Sequence, residues 1–233
     1  MTAAGFAYLC AFLTSLAMGV FWVGLPYLVI DWYQATEWHL GLIGGVVAGV
    51  RVVTGMIPGR IAGRFRRHHV MAAGAVLLAG SMSLVRVSTS FWFVMGLMVM
   101  VGTGLGFFWV ALEAYLGEGV GPGELRHRMG WFNVSWSLGD MFGSFLGGGL
   151  FGLSVYLANR WGSPGLRAGP CLFSGFLALF ISLMVVTRLH SRPASVVPHQ
   201  TRDDIVPRSP ERGGHSSLAV FWRFVFCCGP QFQ

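Results

Sequence analysis

The amino-acid sequence predicts an all-α membrane protein. The expected architecture is a six-transmembrane-helix bundle built from two inverted three-helix repeats, with both termini cytoplasmic. Three observations carry that expectation. The 233 residues are 54% hydrophobic and only 11% charged, where a soluble domain runs near ~25% charged. The apolar residues gather in six long runs. A stretch of the first run reappears in the fourth. A mean hydropathy of +0.63 excludes a disordered chain, which needs low hydrophobicity and high charge. So little polar surface also cannot cover a soluble globule.

The first run, 6–30, outlasts a signal-peptide core and has no basic segment before it or small-x-small cleavage site after it, so it reads as a retained helix. Runs 40–61, 70–85, 91–116, 129–157 and 166–187 follow. Their lengths are of the order of the ~20 residues that cross a bilayer. Residues 1–188 therefore form the bundle. Residues 189–217, rich in Pro, Arg, Ser and Gly, read as a flexible cytoplasmic linker. The apolar stretch within 218–233 is too short to span and reads as an incomplete seventh segment.

The net charge is +7. Every basic residue is Arg, and the arginines concentrate in alternate loops. The richer loops hold Arg60 to Arg67, Arg126 and Arg128, and the chain after Arg188. This is the positive-inside pattern of a multi-pass protein in the cytoplasmic (plasma or inner) membrane, and no nucleic-acid partner is expected. Trp32, Trp38, Trp92 and Trp161 fall at the opposite boundary, where indoles prefer to sit. Cys10, Cys171, Cys227 and Cys228 show no metal or disulfide spacing, and all seven histidines lie in loops, at run edges or in the tail. No metal site, no cofactor and no enzymatic activity are expected. Ser135, Ser137 and Ser144 have no intramembrane His to activate them.

Glycines sit at spacing four in two runs: Gly41, Gly45, Gly49 and Gly55, Gly59, Gly63 in the second, and Gly139, Gly143, Gly147 in the fifth, with Gly148 alongside. On a helix that spacing makes a smooth face along which backbones pack in lipid. The repeat is Gly19-Val20-Phe21-Trp22-Val23-Gly24-Leu25 against Gly106-Phe107-Phe108-Trp109-Val110-Ala111-Leu112. These stretches lie in runs one and four, so each repeat holds three spans and the second copy is inverted, as in many secondary transporters.

Charges inside a membrane need a partner or a role. Arg51 and Asp140 each lie eleven residues into runs two and five, roughly 16 Å deep at ~1.5 Å per residue. Runs two and five are equivalent in the repeat. An Arg51–Asp140 pair could hold helices in register, face the substrate, or couple transport to proton binding at Asp140. Glu113, near the cytoplasmic end of run four, is expected to meet the Arg64–Arg67 or Arg126–Arg128 clusters as a gate or structural ion pair.

Gly59-Arg60-Ile61-Ala62-Gly63-Arg64-Phe65-Arg66-Arg67 resembles the loop signature of the major facilitator superfamily, roughly G-x-L-A-D-R-x-G-R-R. Gly59, Ile61, Ala62, Arg64 and Arg67 fit, while Gly63 replaces the usual Asp and Arg66 the usual Gly. Gly139 to Gly148 is similar to the antiporter signature G-x-x-x-G-P-x-x-G-G, with Ser144 for Pro. The resemblance covers residues 6–188 and implies the amino-terminal half of a two-bundle transporter. It implies that helices one and four line the cavity, which nominates Trp22, Tyr27, Trp109 and Glu113, then Asn133, Trp136 and Asp140. The implied partners are a small-molecule substrate, protons as a candidate driving ion, the lipid bilayer, and a second six-helix bundle from a homodimer mate or a separate chain. The alternative is a truncated, non-transporting membrane protein that only binds a partner or is inactive.

Overall fold

The computed structural model describes residues 3–61 and 67–190. They form six α-helices: α1 (Ala3–Tyr33), α2 (Glu37–Ile61), α3 (Arg67–Leu84), α4 (Phe91–Leu116), α5 (Pro122–Trp161) and α6 (Gly169–His190). Each expected run lies almost entirely within one helix, and no strand occurs among the described residues. All six helices are long and apolar enough to cross a membrane. The linker beyond 190, the stretch 218–233, and Gly63 and Arg64 lie outside the described residues.

Local chemistry sets the helix ends. Ser90 caps α4 by accepting the Phe93 N–H at 3.2 Å, a donor that the helix itself leaves unpaired. Gly162 ends α5 at φ +63, a left-handed conformation that favours glycine. The start of α5 departs from expectation. The charged stretch before residue 129 was expected to be loop, yet the helix begins at Pro122. Proline is already shaped for a first turn, and Glu124 there suits the positive end of the helix dipole. Arg128 then closes an ion pair onto Glu124 one turn away, Nη2 to Oε1 at 2.6 Å. The 40 residues of α5 reach about 60 Å at ~1.5 Å per residue, twice the ~30 Å hydrocarbon core.

Helices α3 and α6 pack together; α4 packs on α3 and α2, and α1 packs on α6 and α5. Two apolar clusters fill the bundle. One gathers Leu25, Leu28, Ile43, Met82 and Met98; the other gathers Phe6, Met71, Phe108, Leu112 and Ile181. Helix α2 leans chiefly on α4, and α5 chiefly on α1. These two are consequently the flanks. Of their most apolar stretches only 11% and 22% of residues are buried, against half or more in every other helix.

One end of the bundle is laced by two polar contacts. The Tyr33 hydroxyl donates to the Ser88 carbonyl at 2.8 Å and lies 2.6 Å from Ser88 Oγ. Arg167 Nη1 donates to Asp31 Oδ2 at 3.1 Å. Together they join the α1–α2, α3–α4 and α5–α6 connections. Trp38, Trp92 and Trp161 stand strongly exposed at this same end, and Trp32 packs against the core. Tyr33→Phe removes the hydroxyl and is expected to lower unfolding stability by about 1 kcal/mol. Arg167→Ala, at a more exposed pair, is expected to lower it by less than about 1 kcal/mol. Thermal unfolding in mild detergent reads both. An Arg167→Ala effect larger than that of Tyr33→Phe would contradict this ranking.

Candidate functional site

The helices meet along glycine seams. At Gly139 an added Cβ would strike the Phe12 carbonyl, at Gly143 the Leu16 carbonyl, and at Gly147 it would lie 3.0 Å from Val20 Cα. Gly19 answers from α1, where a Cβ would lie 2.8 Å from both the Asp140 carbonyl oxygen and the Ser144 nitrogen. The α1–α5 seam is therefore backbone against backbone. Gly148 lies on another face: nothing stands within 4 Å of its Cβ position. The same holds for Gly41, Gly45 and Gly49 on α2, whose Cβ positions are open.

The second seam rests on glycines that spacing-four reasoning passed over. Gly102 and Gly106 on α4 admit α2, with the Gly102 Cβ position 2.9 Å from the Val47 carbonyl oxygen and that of Gly106 against Thr54 Oγ1. Gly104 on α4 and Gly74 on α3 admit each other, the Cβ position of each lying within 2.9 Å of the other's carbonyl oxygen. The alternating Gly102, Gly104 and Gly106 carried the signal, because adjacent seams on two sides of one helix need small residues at spacing two. Gly106 also opens the repeated heptapeptide.

The aromatic candidates split. Trp22 and Trp109 are half-buried, each edge-on to its preceding phenylalanine at 6.0 Å, and Trp109 also meets Phe132 at 5.6 Å. Tyr27 is exposed and stacks on Phe151 with centroids 4.4 Å apart. Trp136 Nε1 donates to Asn133 Oδ1 at 3.2 Å, and both residues face outward on α5.

Arg51, Glu113 and Asp140 all stand exposed on the bundle surface, on α2, α4 and α5. Arg51 and Glu113 lie close enough to feel each other's charge, with no ion pair between them among the described residues. The expected meeting of Glu113 with the Arg64–Arg67 cluster falls largely outside the described residues. Helix α2 packs on α4, and α5 packs on α1. Among the described residues no cation is paired with Asp140. Gly59 and Arg60 lie in the last turn of α2, and Arg67 opens α3. No group of three or more His, Cys, Asp or Glu side chains among the described residues could hold a metal ion.

Six helices long and apolar enough to cross a membrane mark an integral, multi-pass membrane protein. The chain belongs to the Major Facilitator Superfamily, whose family model matches residues 7–230. Members of that family are transporters rather than enzymes. The chain is similar to Protein ZINC INDUCED FACILITATOR 1 of Arabidopsis thaliana, at 24% identity over 225 residues. That match takes in 91% of this chain and 45% of the relative, so the chain spans about half the length of the protein it matches.

Proposed function

We propose that the chain forms one six-helix bundle of a secondary active transporter in the cytoplasmic membrane. It moves a small solute by alternating access, rocking against a second bundle, with protons as the driving ion. The family match across residues 7–230 carries this reading.

Two inverted repeats underlie the rocking. Exchanging α1, α2 and α3 for α4, α5 and α6 maps the principal helix pairs onto one another: α1–α5 becomes α4–α2, α1–α6 becomes α4–α3, and α3–α6 and α1–α4 return to themselves. The repeated heptapeptides support the same relation. Phe21 and Phe108 are both fully buried, and each holds its tryptophan neighbour at 6.0 Å. Three spans per repeat invert the second copy, and the arginine-rich loops then place both termini in the cytoplasm. Trp22, Tyr27, Trp109 and Glu113 face the solute path from α1 and α4. Asn133, Trp136 and Asp140 contribute from α5.

Reconstitution into lipid vesicles tests this. With a pH gradient imposed, labelled sugars, nucleosides, organic anions and hydrophobic cations are offered in turn. At least one is expected to cross several-fold faster than in protein-free vesicles and to respond to the gradient. If folded, inserted protein moves none of them, the transport reading fails.

A further inference from the structure

Helix α5 has two unlike edges beside its seam with α1. One edge is marked by Phe132, whose ring meets Trp109 of α4 at 5.6 Å. Residues four apart on a helix are neighbours on one side, so Trp136, Asp140 and Ser144 continue that edge, and all three are exposed. Phe142 marks the other edge. It lies two residues beyond Asp140, about 200° round the helix at ~100° per residue, and its ring meets Phe12 of α1 at 6.5 Å. Gly139, packed on the Phe12 carbonyl, falls between the two edges. The edge toward α4 therefore carries a carboxylate, a hydroxyl and an indole. The far edge is apolar, with Phe142 and Phe145 both exposed.

A charge at membrane depth calls for a partner or a role. Arg51 and Glu113 feel each other's opposite charge, while Asp140 has no cation paired with it among the described residues. The groups beside Asp140 suit an organic cation rather than a metal ion. No group of three or more His, Cys, Asp or Glu side chains among the described residues could hold a metal. An indole, by contrast, stands one turn away. Trp136 Nε1 donates to Asn133 Oδ1 at 3.2 Å, which holds that indole on the exposed side of α5. The face of an aromatic ring attracts a cation, and tryptophan does so most strongly.

We propose that the α4-facing edge of α5 binds the positively charged nitrogen of an organic solute. Asp140 supplies the opposite charge, Trp136 covers one side of the cation, and the Ser144 hydroxyl offers a hydrogen bond one turn further along. The apolar body of the solute then lies toward Phe132 and Trp109, where α5 and α4 meet through their rings. This rests on the reading of the chain as a solute-carrying bundle, and it names the class of solute: an amine or quaternary ammonium compound with an apolar or aromatic body.

The test is equilibrium dialysis of the full chain in a non-ionic detergent. The probe is benzyltrimethylammonium, whose charge is permanent, and benzoate and benzyl alcohol serve as the anionic and neutral compounds of similar size. The wild-type chain is expected to bind the cation saturably and at least tenfold more tightly than either of the others. Asp140→Asn keeps the side-chain shape and is expected to weaken binding of the cation at least tenfold, while Asp140→Glu keeps most of it. Trp136→Leu is expected to weaken it several-fold. Phe142→Leu, on the opposite edge, is expected to leave it unchanged. Circular dichroism checks that each variant keeps wild-type helical content. No saturable binding by the wild type, binding unmoved in Asp140→Asn, or benzoate held as tightly as the cation would each overturn the proposal. None of these measurements involves solute movement. A chain that binds the cation through Asp140 but carries nothing across vesicles leaves this site standing and removes the transport reading. A chain that carries only anions across vesicles keeps the transport reading and removes this site.

Discussion

Gly143→Leu is expected to abolish the folded bundle. The added side chain would enter the Leu16 carbonyl on α1, and a backbone cannot turn aside as a flexible side chain can. The helices must separate, and the paired close approaches at Gly139, Gly147 and Gly19 separate with them. Overpacking ordinarily costs about 1–3 kcal/mol. Gly143→Ala is expected to fall in that range, and the leucine variant beyond it. Gly148→Leu is the matched control, one helix face away with open space at its Cβ position, and is expected to stay within about 0.5 kcal/mol of wild type. Thermal unfolding of the detergent-solubilised protein separates the cases. A Gly143→Leu protein melting with wild type would show that the α1–α5 seam is looser than described.

Glu113→Gln is expected to have the largest effect on transport. The substitution keeps the side-chain shape and removes the charge that acts on Arg51. It leaves the guanidinium uncompensated at membrane depth, where unpaired charge is costly. Under the proposed mechanism the change in α2–α4 electrostatics biases the bundle toward one state. Solute flux in vesicles is expected to fall at least about tenfold, equivalent to ~1.4 kcal/mol, with the melting temperature within a few degrees of wild type. Wild-type flux in Glu113→Gln would remove Glu113 from the mechanism. A collapsed melting temperature would assign it to structure instead.

How much was legible in the sequence depended on whether the information was local. The helices were: each apolar run became a helix, and residues 91–116 matched α4 at both ends, where Ser90 supplies a cap. The extra turns of α5 were missed because Glu124, Arg126 and Arg128 read as loop charge, although Pro122 and the Glu124–Arg128 spacing are helix-start signals. Glycine spacing marked the α1–α5 seam at Gly139, Gly143 and Gly147. Spacing four marks a smooth face but not what lies against it, and for Gly41, Gly45 and Gly49 the described bundle offers nothing. The charges pose the same problem. Depth along the chain placed Arg51 and Asp140 at matching heights, but height does not tell which helices are neighbours. That relation is set by α2 against α4 and α5 against α1, which no single helix encodes.

The length of α5 has a consequence for measuring motion. Its seam on α1 lies near its middle, while the turn that carries Glu124 and Arg128 lies roughly 20 Å or more from that seam at ~1.5 Å per residue. The helix is thus a built-in pointer. A swing of about ten degrees around the glycines displaces the Glu124 turn by several ångströms, on the order of a residue width. A spectroscopic label on that turn, paired with one on the Arg67 end of α3, reads the swing as a distance. It makes small rotations inside the membrane visible from outside it.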